Sequence, residues 1–222
     1  MAALLDGVRA VAFDLDGTLV DSAPDIAAAA NATLESLGMS RVAEANVALA
    51  IGDGVDMLVE RAMTESAGAT PAPERLAAGI ARFRDEYAKR AWVASRIYPG
   101  VSEGLDALQA RGLPLACITN KASRFTAEVL ERSGLARRFA FACCADTPER
   151  RKPRPDLLHE ACARLNIDAA ELLFVGDSAL DVAAARAAGS PVVAVDYGYR
   201  QGKPVEALGA DAVIASLVQL AF

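Results

Sequence analysis

Several side chains that could bind phosphate or a metal follow directly on apolar runs of the sequence. The groups at the ends of these runs are Asp14 and Asp16, Thr119 and Asn120, and Asp177 and Asp181. Lys152 follows a further apolar run after a short loop. In an open parallel sheet, ligands bind beyond the carboxyl ends of the strands. If the runs are parallel strands, we expect these side chains to meet at one edge of the sheet.

The aspartates of this predicted site need a counter-charge. Two carboxylates about 4 Å apart repel by roughly 4 kcal/mol at an effective dielectric constant near 20. Asp14, Asp16 and Asp177 therefore require a cation if they share one pocket. Because the cluster offers oxygen ligands without histidine or cysteine, Mg²⁺ suits it better than zinc. The sequence thus predicts a Mg²⁺ cofactor, an ion that also suits a phosphate substrate.

Simpler interpretations of the same residues are available. An aspartate after a strand often caps a helix, and Lys152 could be a surface charge. A calcium loop beginning at Asp14 is excluded by spacing, since its sixth position is Leu19 rather than glycine and its twelfth is Asp25 rather than glutamate. The coincidence of several such residues at one predicted edge favours a functional site.

The elements that would position this site are short apolar runs separated by helical stretches. The runs span residues 8–13, 113–118, 139–144, 172–175, 191–195 and 213–214. Runs of this length suit strands buried on both faces, and their alternation with helices such as 101–110 predicts a doubly wound parallel sheet in an α/β fold.

One long segment, from about residue 22 to 94, contains helical patterns and no convincing strand. We interpret it as an α-helical cap inserted into the sheet domain, with hinges near residues 17–23 and 93–99. The expected domains are a discontinuous core, residues 1–19 and 95–222, and a cap, residues 20–94.

Composition narrows the possible partners. The chain of 222 residues has a formal net charge of −6, which argues against a nucleic-acid partner because such proteins normally present a basic face. No apolar run approaches the roughly 18 to 20 residues that cross a bilayer. The first residues do not read as a secretory signal. We therefore expect a cytoplasmic protein without a membrane partner.

In their order along the chain, these motifs resemble those of the haloacid dehalogenase superfamily. The matching segments are Asp-x-Asp-Gly-Thr at 14–18, Thr-Asn at 119–120, Lys-Pro at 152–153 and Gly-Asp-Ser-x-x-Asp at 176–181. The resemblance implies a Rossmann-like core with an α-helical cap. Within the superfamily, residues 13–22, 119–121, 151–153 and 196–199 most resemble the bacterial phosphoglycolate phosphatase type. Arg200-Gln201 departs from that type, which leaves the substrate open.

The resemblance also implies roles for individual residues. Asp14 would attack phosphorus and form an aspartyl-phosphate, and Asp16 would act as general acid and then base. Mg²⁺ would be held by the Asp14 and Asp177 carboxylates and the Asp16 backbone carbonyl. Thr119 and Lys152 would stabilise the transferring phosphoryl group.

Three further residues are candidates for substrate binding: Thr18, Asn120 and Arg61. Arg61 could pair with a carboxylate such as that of glycolate, although a solvated surface role is equally compatible with its place on a helix. Asp181 would support the site by orienting Lys152 or the waters of the metal.

The expected function is thus a Mg²⁺-dependent phosphatase for a small phosphorylated metabolite, with 2-phosphoglycolate as the first candidate. The alternatives are another small ester, such as a sugar phosphate or pyrophosphate, and a phosphomutase of the β-phosphoglucomutase kind. A catalytically silent binding protein on the same fold is a rival from another class. The sequence predicts no oligomeric state.

Overall fold

The computed structural model describes residues 6–221, so residues 1–5 and 222 of the expected core lie outside the described part. Its strands are β1 (Ala10–Phe13), β2 (Val20–Asp21), β3 (Arg96–Ile97), β4 (Leu115–Thr119), β5 (Phe141–Cys144), β6 (Leu172–Gly176), β7 (Val192–Val195) and β8 (Ala212–Ile214). Its α-helices are α1 (Ala23–Ser36), α2 (Glu44–Ala48), α3 (Val55–Ala67), α4 (Pro73–Arg90), α5 (Val101–Ala110), α6 (Ser123–Arg132), α7 (Asp156–Leu165) and α8 (Ala179–Ala188).

The six strands that correspond to the apolar runs form one parallel sheet in the order β5-β4-β1-β6-β7-β8. Side chains alternate between its faces, so Val11 and Phe13 of β1 belong to one hydrophobic cluster and Ala10 and Ala12 to the other. Helices α5 and α6 cover the first face, and α7 and α8 cover the second. The predicted α/β fold with a parallel sheet is confirmed.

Helices α1 to α4 form the predicted helical insertion and have a hydrophobic cluster of their own. Phe125 of α6 joins that cluster from the sheet side, so the insertion packs against the sheet domain. No helix in residues 6–221 combines the length and apolar character that crossing a membrane requires.

Two strands that the sequence analysis did not predict lie at the two hinge segments. Strands β2 and β3 pair antiparallel, with Val20 opposite Ile97. The entry to the insertion and its exit are therefore held side by side.

The carboxylate of Asp25, in the first turn of α1, fixes the exit segment. It accepts hydrogen bonds from the backbone N–H groups of Val93, Ala94 and Ser95 at 2.8 to 2.9 Å, and from the Ser95 hydroxyl. Asp25 is 2% exposed, so these bonds satisfy a buried charge. The two crossing segments are thus tied together by one side chain.

Candidate active site

The carboxyl ends of three adjacent strands bring the predicted site together. Strand β1 lies between β4 and β6. Asp14 follows β1, Thr119 is the last residue of β4, and Asp177 follows β6. The backbone N–H of Asp14 donates to Val175 at 2.9 Å, which fixes the start of the first motif against β6. All three side chains are buried, with at most 7% of each residue exposed.

Lys152 joins this edge of the sheet from the loop before α7. Its ammonium lies 2.8 Å from Asp14 Oδ1 and 2.7 Å from Asp181 Oδ1, with 2% of the side chain exposed. Burial alone would lower the pKa of Lys152, but the two carboxylates raise it above its usual value. Lys152 is therefore a fixed positive charge beside Asp14.

Carboxylate oxygens of Asp14, Asp177 and Asp181 all lie within 4.8 Å of one another. Burial, with Asp181 adding to it, raises the pKa of Asp14 to about 7 although Lys152 opposes the shift. Burial and the two neighbouring carboxylates raise the pKa of Asp177 to about 8. The geometry therefore concentrates negative charge that the protein groups do not fully balance.

A divalent cation fits this charge count. With Asp16, the site holds four carboxylates, and its buried ammonium groups are those of Lys152 and Lys121. When all are ionised, two negative charges are left uncompensated. Mg²⁺ carries the matching charge and prefers oxygen ligands.

Asp177 sits in a space that exists because two neighbouring residues are glycines. A Cβ on Gly17 would approach Asp177 Oδ2 to 2.4 Å, and a Cβ on Gly198 would approach the Cβ of Asp177 to 2.2 Å. Its Oδ2 accepts from the Tyr199 backbone N–H at 2.8 Å, and its Oδ1 accepts from the Thr18 hydroxyl at 3.1 Å.

Asp181 is fully buried and positions other groups. Its Oδ1 pairs with Lys152, and its Oδ2 accepts from the Ser178 hydroxyl at 2.6 Å and from the backbone N–H groups of Ser178 and Asp177. A Cβ on Gly176 would collide with it at 2.4 Å. The side chain is held so that it orients Lys152.

The second aspartate of the first motif faces Lys121. The Lys121 ammonium bonds both oxygens of Asp16, at 3.0 and 2.9 Å, and the Ser22 hydroxyl donates to Asp16 Oδ1 at 2.5 Å. Lys121 ends the segment 119–121 that resembles the family, but no role was predicted for it. Its position two residues after Thr119 was the available signal.

A cavity of about 60 Å³ lies between the strand ends and the helical insertion. Its polar lining consists of Asp14, Asp16, Thr119, Asn120, Lys121, Lys152 and Ser178, and the apolar and aromatic side chains on its walls are those of Ile26, Ile51, Val55, Leu58, Phe83, Tyr87, Phe125 and Leu180. Most of this second group belongs to the insertion. The cavity therefore has charged and polar side chains at the strand ends, here called its floor, and mostly apolar side chains of the insertion opposite them, here called its roof.

Comparison with known proteins identifies the family of this chain. Residues 11–195 match the family described as haloacid dehalogenase-like hydrolase. The chain belongs to this family.

The relatives of this haloacid dehalogenase-like hydrolase include named phosphatases. A phosphoglycolate phosphatase from Thiobacillus denitrificans is 44% identical over 214 residues, which cover 96% of this chain and 94% of that protein. One from Escherichia coli is 38% identical over 231 residues, covering 97% and 92%. The crystal structure of a predicted phosphoglycolate phosphatase from Haemophilus somnus has a TM-score of 0.91 at 31% identity, with 96% of each chain covered. The expected enzyme class, a phosphatase, is confirmed.

The structure of this hydrolase does not bring all three predicted substrate-binding residues to the cavity. Thr18 is fully buried behind Asp177, to which its hydroxyl donates, and it does not line the cavity. Arg61 pairs with Asp53 at 2.5 Å, and 44% of its side chain is exposed. It borders a separate surface depression because it projects away from the apolar side of α3.

Asn120 does line the cavity, but its amide is occupied by the protein. Its Nδ2 donates to the carbonyls of Gly52 and Lys152 at 2.8 and 3.0 Å, and its Oδ1 accepts from the Lys152 backbone N–H at 2.7 Å. The side chain thus links the loop between α2 and α3 (residues 49–54, here called the cap loop) to the backbone of Lys152, a role that was not predicted from the sequence.

Two further core side chains contact the same cap loop. Arg151 pairs with Asp56 at 3.0 Å and donates to the Asp53 carbonyl at 3.4 Å. Gln201 donates to Asp53 Oδ2 at 3.2 Å. Neither was a predicted site residue, although Arg151 precedes Lys152 in the quoted motif. The cap loop is therefore held by the sheet domain at several points.

Proposed function

We propose that this hydrolase is a Mg²⁺-dependent phosphatase that converts 2-phosphoglycolate into glycolate and phosphate through an aspartyl-phosphate on Asp14. The observation that carries the proposal is the buried Asp14 carboxylate beside Lys152 in the cavity between the strand ends and the insertion. The relatives are named phosphoglycolate phosphatases, which supports 2-phosphoglycolate as the substrate.

Asp14 is suited to act as the nucleophile because its two oxygens have different surroundings. Oδ1 accepts from the Leu15 N–H at 2.7 Å and contacts Lys152 at 2.8 Å. Within residues 6–221, these contacts leave Oδ2 as the oxygen without a protein donor. An attack by Oδ2 on phosphorus forms the covalent intermediate and divides one difficult displacement into two easier ones.

Asp16 serves the leaving group. It would protonate the departing glycolate oxygen and then deprotonate the water that hydrolyses the aspartyl-phosphate. Its carboxylate lines the cavity, where Ser22 and Lys121 fix its orientation. A carboxyl group held in this way avoids the entropy loss of ordering itself during the reaction.

Mg²⁺ would be held by the Asp14 and Asp177 carboxylates and the Asp16 backbone carbonyl. When bound, it supplies positive charge that stabilises the phosphoryl oxygens. Lys152 and the Thr119 hydroxyl add hydrogen-bond donors at the same group, and Asp181 keeps Lys152 in place.

Side chains of the insertion form an apolar roof over the reacting group. The apolar roof excludes water from the reacting group once the substrate is enclosed.

The test is a panel of phosphate esters assayed with Mg²⁺ and ranked by kcat/KM. We expect 2-phosphoglycolate to lead glucose 6-phosphate and pyrophosphate, and phosphate release to need no bisphosphate activator, in contrast to a phosphomutase. Asp14→Asn should abolish turnover, whereas Asp106→Asn, whose side chain is 62% exposed, should retain it. A higher kcat/KM for a sugar phosphate would reject 2-phosphoglycolate as the substrate. Persistent turnover in Asp14→Asn would reject Asp14 as the nucleophile.

A further inference from the structure

The cavity contains one cationic group that the proposed reaction leaves without a task at the substrate. Among the described residues that line it, only Lys121 and Lys152 carry positive charge. Lys152 is committed to Asp14 and Asp181. Lys121 has 7% of its side chain exposed, bonds both oxygens of Asp16 and lies beside the Tyr87 side chain. An ammonium group has three N–H donors, so two bonds to Asp16 leave a donor for a ligand.

Tyr87 provides a second unused polar group on the same wall. Its ring lies 4.8 Å from the Lys121 ammonium, measured to the ring centroid. The residue is 2% exposed, and its hydroxyl is buried without a hydrogen-bond partner. Buried polar groups in proteins are nearly always paired, because an unpaired one costs free energy. A ligand acceptor in the cavity would satisfy this hydroxyl.

The Tyr87 side chain is held in place before any ligand arrives. Its ring stacks on Phe83 at 5.8 Å and meets the edge of Phe125 at 5.0 Å, both measured between ring centroids. Phe83 belongs to the cap and Phe125 to the sheet domain, so the ring sits where the two meet. A fixed donor of this kind binds a ligand with little loss of conformational entropy.

We propose that Lys121 and Tyr87 form a carboxylate subsite that binds the acid end of the leaving group and selects 2-phospho acids over neutral phosphate esters. The proposal rests on the proposed function and names the residues that recognise its substrate. It replaces Arg61, which pairs with Asp53 outside the cavity.

The position of Lys121 next to Asp16 agrees with the chemistry of such a substrate. Asp16 serves the bridging oxygen of the ester in the proposed reaction. In a 2-phospho acid, the carboxylate begins two bonds from that oxygen and lies within about 4 Å of it, since each bond is about 1.5 Å long. A cation already bonded to Asp16 is therefore within reach of the carboxylate.

The charge of the substrate gives a further reason for this arrangement. In the proposed reaction, Lys152, Thr119 and the metal balance the charge of the phosphoryl group. Without Lys121, the substrate carboxylate would lie among the apolar side chains of the insertion. An unpaired carboxylate in such surroundings is strongly disfavoured. Lys121 supplies a charge-assisted bond, and the Tyr87 hydroxyl supplies a neutral one.

The experiment compares 2-phosphoglycolate with ethyl phosphate, which has a similar leaving group without the carboxylate. The measured quantity is the ratio of their kcat/KM values in the wild-type protein, Lys121→Met, Lys121→Arg and Tyr87→Phe. Lys203→Met, a change at an exposed lysine, is the matched control. Binding of both esters to the same variants in an Asp14→Asn background, by calorimetry with Mg²⁺, gives the ratio without turnover.

We expect Lys121→Met to lower the ratio by at least about tenfold and Tyr87→Phe by roughly three- to tenfold. Lys121→Arg should retain part of the preference and Lys203→Met all of it. Equal losses for both esters in Lys121→Met would overturn the proposal, because they would mean that Lys121 only positions Asp16. A wild-type protein without preference for 2-phosphoglycolate would reject the proposed function as well, whereas a preference that survives both Lys121→Met and Tyr87→Phe would reject the subsite alone.

Discussion

Removal of Mg²⁺ should make the stability of this protein strongly dependent on pH. Without a metal, the pKa values of Asp14 and Asp177 are raised to about 7 and about 8. In the unfolded chain both groups ionise near pH 3.8. Between these limits the folded protein binds more protons than the unfolded chain, so the free energy of unfolding falls as pH rises.

The magnitude follows from the number of protons involved. Each fully linked proton changes the free energy of unfolding by about 1.4 kcal/mol per pH unit. Asp14 and Asp177 together give a slope of up to about 3 kcal/mol per pH unit between pH 5 and 7. For a chain of this size, 1 kcal/mol corresponds to roughly 2 to 4 °C in Tm. The carboxyl groups with lowered pKa values, such as Asp156 and Asp211, act only at lower pH.

The assay is thermal unfolding in chelator and in excess Mg²⁺, from pH 5.5 to 8, at constant ionic strength. We expect Mg²⁺ to raise Tm slightly at pH 5.5, where protons occupy the site, and by many degrees at pH 8. Asp177→Asn should roughly halve the slope in chelator, because one of the two linked protons is lost. A Tm in chelator that is independent of pH, or a Mg²⁺ shift of equal size at both pH values, would refute this reasoning.

Three other substitutions test the structure. Arg61→Ala should change KM for 2-phosphoglycolate by less than about twofold, because Arg61 pairs with Asp53 outside the cavity, and a tenfold rise in steady-state kinetics would restore the sequence-based expectation. Gly54→Ala should lower kcat/KM severalfold, because a Cβ at this position would lie 2.6 Å from the Arg151 guanidinium. Gly68→Ala is the control, because Gly68 also has a positive φ but has open space around it. Asp25→Asn should lower the free energy of unfolding in urea by about 2 to 4 kcal/mol, because the carboxylate accepts four buried hydrogen bonds, whereas the exposed Asp85→Asn should change it by less than about 0.5 kcal/mol.

The sequence predicted the floor of the site because that part depends on local pattern and parallel topology. Apolar runs identify strands, and parallel strands place their carboxyl ends at one edge. Asp14, Thr119 and Asp177 follow such runs, so their meeting needed no knowledge of side-chain contacts. Strands β2 and β3 were missed because two residues each are too few to establish a period.

The side chains that the sequence analysis missed act across long separations. Lys121 bonds a carboxylate 105 residues earlier in the chain, and the Tyr199 hydroxyl accepts from backbone N–H groups of Ser22 and Ala23, more than 170 residues earlier. Such contacts depend on how elements pack, which periodicity within one element does not encode.

The position of Arg61 outside the cavity could have been predicted from the sequence. Successive residues of a helix are about 100° apart. The buried face of α3 consists of Leu58, Val59, Ala62 and Met63. Arg61 lies about 130° from the centre of that face by the same geometry. Periodicity therefore directs its side chain away from the apolar side of α3.

The polar contacts between the cap loop and the sheet domain are individually weak. Asn120 gives one hydrogen bond to Gly52 and keeps two to the Lys152 backbone, so opening the cap breaks one bond of its three and leaves the lysine in place. A single such bond contributes about 1 kcal/mol, and a partly exposed pair such as Arg151 with Asp56 contributes up to about 1 kcal/mol. Asn120 and Arg151 adjoin Thr119 and Lys152 in the chain, so under the proposed function the same two segments would hold the cap loop and the phosphate group. If the cap opens for substrate exchange, these contacts would break while Lys152 keeps its bonds to Asp14 and Asp181.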